Sequence, residues 1–188
     1  MPAFITRLVL LASMLFAALP ALAQDAWEQA RAPGTHLLMR HALAPGTGDP
    51  ANFVLGDCAT QRILSETGRQ QARRIGERLR ANNVAVDTVL TSRWCRSVET
   101  ADLLSVGPVT PEPALDSFFQ NRQTAADQTA ALTARLAALD SAGQKAVLVT
   151  HQVNITALTD IFPASGEIVL IRLGPDGQVR VAGRIRPE

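Results

Sequence analysis

Three short apolar runs, each followed by a helical pattern, constrain this chain more than any other feature. The first is Leu37-Leu38-Met39, with Gly34 upstream and Ala44-Pro45-Gly46 downstream, and it runs into Arg40 and His41. The second, residues 86–91, is short and β-branched and leads into Ser92-Arg93-Trp94-Cys95-Arg96-Ser97. The third, residues 146–150, stops at His151. Runs of this length bounded by turn residues read as buried strands. Between them lie helical patterns. Residues 66–81 follow an N-cap at Ser65 and carry Ala72, Ile75 and Leu79 on one face. A helix follows Arg96 and ends near Leu104. Residues 125–139 place Ala125, Leu132, Leu136 and Leu139 in one stripe, with Thr129 as its polar member. A short helix is expected over 154–160, and residues 107–113 are broken by prolines. Segments 167–173 and 178–185 form a closing hairpin around Gly174-Pro175-Asp176-Gly177. Strands alternating with helices predict an α/β fold, a three-layer α/β/α sandwich with a mainly parallel central sheet and right-handed crossovers.

Parallel strands share a carboxyl end, and ligands of open α/β sheets bind just beyond it. That rule gathers Arg40 and His41, Arg93 and Arg96, and His151 on one edge. Arginine offers a planar fork of donors that matches phosphate oxygens. Phosphoryl transfer depends chiefly on positioning and on stabilising charge at the equatorial oxygens. A neutral imidazole is a good nucleophile toward phosphorus, and neighbouring cations hold it neutral. The chain has no glycine-rich nucleotide loop, and its three histidines are too scattered to read as metal ligands, so no metal and no cofactor is expected.

Composition narrows the setting. A net charge of +1 and the absence of tyrosine give no reason to expect nucleic acid as a partner. Residues 8–19 are apolar apart from Ser13, and Ala21-Leu22-Ala23 is an A-x-A cleavage site before polar Gln24. This reads as a secretory signal peptide over 1–23, leaving one domain over 24–188 and a periplasmic or secreted product. No later segment is long and apolar enough to span a membrane. Two cysteines, Cys58 and Cys95, in an exported chain make a disulfide the expectation. It would tie the loop over 42–64 to the Arg96 segment; a loop of that length inside a domain is functional or disordered.

The ordered set Leu38-Met39-Arg40-His41, Leu64-Ser65-Glu66-Thr67-Gly68-Arg69-Gln70-Gln71-Ala72, Thr91-Ser92-Arg93-Trp94-Cys95-Arg96 with Glu99-Thr100-Ala101, and Val149-Thr150-His151 resembles the histidine phosphatases of the phosphoglycerate mutase-like superfamily. The closest likeness is to its small exported members. The resemblance implies that His41 is the nucleophile that becomes phosphohistidine, that Arg40 and Arg96 bind the phosphoryl group, and that His151 completes the pocket. It implies a general acid after the second arginine, with Asp116 the first candidate and Glu112 its rival. Arg93, Gln152 and Asn154 are candidate substrate contacts, Arg93 reading more as rim or structure and Asn154 equally as a helix cap. Two departures stand out: Ala42 and Gln152 occupy positions where the family favours glycine. The expected activity is hydrolysis of a small phosphomonoester, an envelope sugar phosphate being one candidate. The alternatives are a catalytically inactive phosphate- or phosphosugar-binding protein of the same fold, a metal-dependent hydrolase, and a phosphohistidine-protein phosphatase.

Overall fold

The computed structural model describes residues 26–187; the expected signal segment over 1–23 lies outside them. Strands β1 (His36–Arg40), β2 (Thr88–Thr91), β3 (Val109–Pro111), β4 (Ala146–Thr150), β5 (Ile168–Leu173) and β6 (Val179–Ile185) form one six-stranded sheet in the order β3-β2-β4-β1-β5-β6. The first four in that order run parallel, while β5 is antiparallel to β1 and β6 to β5. The helices are α1 (Ala26–Arg31), α2 (Glu66–Ala81), α3 (Cys95–Leu104), α4 (Ala125–Ser141) and α5 (Gln152–Thr159).

The period of two along each strand divides the core into two layers. Leu37, Met39, Val89, Val147 and Val149 face Ala30 of α1, Ile75 and Leu79 of α2, and Ala101 and Leu104 of α3. Leu38, Leu90 and Leu148 face the opposite side, against Leu132, Leu136 and Leu139 of α4 and Ile155 of α5. Each of these Leu, Ile, Val and Met side chains contributes roughly 1.5–3 kcal/mol on burial. The sandwich expected from the sequence is therefore present, with the closing hairpin as its antiparallel edge.

Local signals explain the elements that carry the site. Ser65 Oγ accepts from Gly68 N at 3.0 Å and starts α2, and Arg78 and Arg80 complement the negative end of its dipole. Gly76 is the point of closest approach between α2 and α3: a Cβ there would lie 1.9 Å from Leu104 O. Helix α5 starts at Gln152, two residues before the expected position, with His151 in an extended N-cap conformation. Asn154 therefore lies inside the first turn and is not the cap. β2 begins at Thr88 because Asp87 is tied to the start of β4 through Lys145, its backbone N donating to Lys145 O (2.9 Å) and its carboxylate accepting from Lys145 N (2.7 Å).

Candidate active site

β1 delivers His41 to the carboxyl edge of the sheet, where its backbone N still donates to Thr150 O of β4 at 2.9 Å. The next residue is pinned from α3, because Ala42 N donates to Thr100 Oγ1 at 3.0 Å and that hydroxyl donates to Arg96 O at 2.7 Å. No positive φ is required at Ala42, so the backbone here accepts an alanine. The motif over 64–72 turns out to be scaffolding for this backbone. Ser65 N donates to Leu43 O, Gln71 accepts from Leu43 N and donates to Ser165 O, and a Cβ on Gly68 would lie 2.1 Å from Leu43 O.

His41 is buried, and its Nδ1 lies 2.8 Å from Ala42 O. A carbonyl can only accept, so Nδ1 carries the proton and Nε2 carries the lone pair. Arg96 Nε donates to that Nε2 at 3.3 Å. His151 is also buried, with its ring centroid 5.4 Å from that of His41. A guanidinium can only donate, so His151 accepts at Nδ1 from Arg96 Nη2 (3.5 Å) and donates from Nε2 to Ser92 Oγ (2.8 Å). Ser92 in turn donates to Asp116 Oδ1 at 3.4 Å.

Three arginines surround these rings on the wall of a cavity of about 160 Å³: Arg40, Arg62 and Arg96. Arg40 Nη1 is anchored on Pro163 O at 2.9 Å, while its buried Nε lacks a partner. Arg62 Nε donates to Gly48 O at 2.8 Å, with a second bond to Ala44 O. Burial, then the charge of Arg96, lowers the Arg62 pKa to about 10, which leaves it charged at neutral pH. Burial pushes His41 down to about 3, with the Arg96 charge next in importance. His151 is driven well down by burial and then by the charges of His41 and Arg96. Both imidazoles are thus neutral in the free protein. The amino ends of α3 and α5 abut the same cavity, adding the positive ends of two helix dipoles.

Asp49 is the one carboxylate on the cavity wall among the described residues. It takes Arg96 Nη1 at 2.6 Å and Nη2 at 3.1 Å, Trp94 Nε1 at 3.0 Å, and Arg62 N at 3.2 Å. Burial alone would raise its pKa; the hydrogen bonds and charge of Arg96 outweigh that and hold it below the usual carboxylate value. Phe53 stacks on Trp94 with centroids 5.1 Å apart. The loop carrying Asp49 and Arg62 is fastened by the Cys58–Cys95 disulfide, the bridge expected from the sequence.

The structure brings His41, Arg40, Arg96, His151 and Gln152 together on the cavity wall and leaves the other expected residues off it. Asp116 stands behind the wall with its carboxylate occupied by Arg93: backbone N to Oδ1 at 2.8 Å and Nε to Oδ2 at 2.7 Å. It is not placed to protonate a leaving group. Arg93, nearly half exposed, serves this ion pair and does not line the cavity. Asn154 is buried and donates to Asp116 O at 2.8 Å, so it braces the loop instead of meeting substrate. Glu112 caps the 3₁₀ turn Pro113–Leu115 through Ala114 N and pairs with Arg135. Asp49 and Arg62 are not legible in the sequence, because the loop over 42–64 has no periodicity to read. Its length and its cysteine were the only signals.

Three comparisons place this geometry. A profile of the histidine phosphatase superfamily (branch 1) matches residues 36–119. No curated protein sequence matches the chain significantly. Among solved structures, the chain is similar to the protein histidine phosphatase SixA complexed with tungstate, at 18% identity and TM-score 0.55, covering 81% of this chain and 96% of that one. It is similar to a mycobacterial glucosyl-3-phosphoglycerate phosphatase complexed with VO3, at 16% identity and TM-score 0.58, covering 81% and 98% respectively. It is similar also to phosphoserine phosphatase of Entamoeba histolytica in complex with 3-phosphoglyceric acid, at 13% identity and TM-score 0.57, covering 80% and 95%. Fold, ordered motifs and profile agree: residues 36–119 match the histidine phosphatase superfamily (branch 1), and the fold is that of the solved phosphatases named above.

Proposed function

We propose that this chain is an exported phosphatase that hydrolyses a small phosphomonoester through a phosphohistidine on His41, without a metal ion. The observation that carries the reading is the tautomer of His41: its Nδ1 proton is tied to Ala42 O, so the Nε2 lone pair is presented among the arginines. In this reading Nε2 attacks phosphorus and the ester oxygen departs with the bonding pair. Arg40, Arg62 and Arg96 stabilise the equatorial oxygens. A bound dianion offsets their charge, raises the pKa of His151 and lets its Nδ1 donate to a phosphoryl oxygen. Water then attacks the phosphohistidine, releasing phosphate and a proton and restoring the free imidazole.

Three guanidinium groups supply the positive charge that a metal would otherwise bring. Among the described residues, no three His, Cys, Asp or Glu side chains gather to hold one. The signal-peptide reading of residues 1–23 and the Cys58–Cys95 bridge both fit an oxidising compartment. Among the described residues no helix is long and apolar enough to cross a membrane.

One observation favours a second reading, a phosphate-binding protein without turnover. Asp116 is held by Arg93, and Asp49 is ionised against Arg96, so neither offers a proton to a leaving oxygen. In the catalytic reading that proton comes from water, and ester leaving groups of low pKa turn over fastest. The test is phosphate release from p-nitrophenyl phosphate in chelator, beside His41→Ala, with a radiolabelled quench for an acid-labile, base-stable phosphoenzyme. Turnover that survives chelator and disappears with the label in the variant supports the phosphatase. Tight binding of inorganic phosphate with no turnover from pH 5 to 8 establishes the binding reading instead.

A further inference from the structure

The floor of the cavity concentrates every formal charge on its wall, in Arg40, Arg62, Arg96 and Asp49, while the outward half is neutral. That outer wall comes from two separate loops. Phe119, with Ser117 and Gln120, follows the 3₁₀ turn Pro113–Leu115, and Phe162 follows α5. Phe119 is 42% exposed and Phe162 71%, whereas Phe118 beside the first is only 4% exposed and packs inward. Two exposed phenylalanines from different loops therefore share one cavity mouth, the arrangement expected of a ligand site and not of scattered surface residues.

The mouth is also held in shape. Arg122 stacks over Phe119 at 5.8 Å, and a Cβ on Gly48 would lie 3.6 Å from the same ring. Gln152 Nε2 donates to Thr156 Oγ1 at 2.8 Å, which fixes an amide at the wall. A leaving group bearing a carboxylate would find no cation on the lining of this outer half: the wall arginines are at the floor where the phosphoryl group goes, and Arg122 lies over Phe119 outside the lining. One bearing a cation would find only Asp49, already taken by Arg96.

We infer that the mouth is a leaving-group subsite for an uncharged ring with an apolar face, held by Phe119 and Phe162 and hydrogen-bonded by the amides of Gln120 and Gln152. The substrate class is then the phosphate ester of a neutral ring, aryl or sugar, and not an acyclic phosphate bearing a carboxylate. This rests on the phosphoryl site proposed above, and its test reads binding separately from turnover.

The experiment is calorimetry on the mature chain carrying His41→Ala, which prevents hydrolysis, after circular dichroism shows it folded. The probes are inorganic phosphate, methylphosphonate, phosphonoacetate, benzylphosphonate and glucose 6-phosphate. Benzylphosphonate, glucose 6-phosphate or both should bind about tenfold more tightly than methylphosphonate, the gain expected for burying one apolar face. Which of the two gains separates an aryl from a sugar substrate. Phosphonoacetate should gain nothing. Adding Phe119→Ala or Phe162→Ala, both exposed and outside the core, should erase the gain and leave inorganic phosphate binding unchanged. Equal affinities for methylphosphonate and both ring probes, or tightest binding of phosphonoacetate, overturns the subsite. Loss of phosphate binding in the phenylalanine variants also overturns it. Ring selectivity in a wild-type protein that turns nothing over supports the subsite and defeats the catalytic reading alone.

Discussion

Removing the Cys58–Cys95 bridge should destabilise the fold and slow the reaction by separable routes. The bridge spans a sequence separation of 37 residues. In the chain-entropy account, a loop of that size restricts the unfolded ensemble by about 4 kcal/mol at 25 °C. For a domain of this length that corresponds to roughly 8–16 °C in Tm. The functional consequence comes from what the bridged loop carries. Cys95 immediately precedes Arg96, Cys95 N donates to Gln61 Oε1 at 3.0 Å, and Asp49 and Arg62 bond to Arg96 and to the loop backbone. Without the bridge these bonds alone hold the loop, so its local opening becomes easier. The assay is thermal and urea unfolding of the mature chain, oxidised, reduced, and as Cys58→Ser/Cys95→Ser. It is joined by amide exchange over residues 44–62 and kcat/KM for p-nitrophenyl phosphate. Faster exchange in that loop and a several-fold loss of kcat/KM are expected. A Tm shift under about 3 °C would refute the entropic reasoning. A large shift with unchanged exchange and unchanged kcat/KM would refute the coupling to Arg96.

Four further expectations test the site and its scaffold. Asp49→Asn removes the charge facing a buried guanidinium, so urea unfolding should show a loss of about 3 kcal/mol, and a loss below about 1 kcal/mol contradicts a structural ion pair here. All three histidines of the chain have pKa values lowered from 6.5, first by burial. An NMR titration of the folded chain from pH 8 to 5 should therefore show no imidazole titrating near 6.5. The same shifts make stability pH-dependent: the unfolded chain takes up these protons first, so stability is unaffected above about pH 7 and declines below 6.5. For His41 and His151 the slope is about 1.4 kcal/mol per imidazole per pH unit, until the folded group itself protonates, near 3 for His41. A stability curve flat from pH 7 to 5 is incompatible with buried neutral rings. Gly76→Ala would add a Cβ against Leu104 O; the overlap is with backbone, so despite a better helix propensity a net loss of about 1–3 kcal/mol is expected, and a stabilised variant would show that α2 and α3 can separate freely.

Much of the site was legible because its parts sit where regular elements end. A strand of apolar residues stops, and the next polar side chain falls at the sheet edge; this alone places Arg40, His41 and His151. Arg96 needs one further step, the first turn of the helix after β2. The alternation of strand and helix determined the parallel sheet, and the period within each element determined which of its faces is buried. These are local properties, set by covalent geometry and by the preference of apolar side chains for one face. Tertiary structure decided the rest. Whether Asp116 or Asp49 reaches the cavity depends on which arginine each carboxylate pairs with, and Asp49 meets Arg96 across 47 residues of sequence. Asn154 was decided by a two-residue difference in where α5 begins, which puts it inside the first turn, where its side chain is buried. The loop over 42–64 carries no periodic signal, so its path is set by a disulfide and by hydrogen bonds to residues distant in the chain. Local chemistry determines what forms along the chain; only the packed fold determines which buried charges find one another.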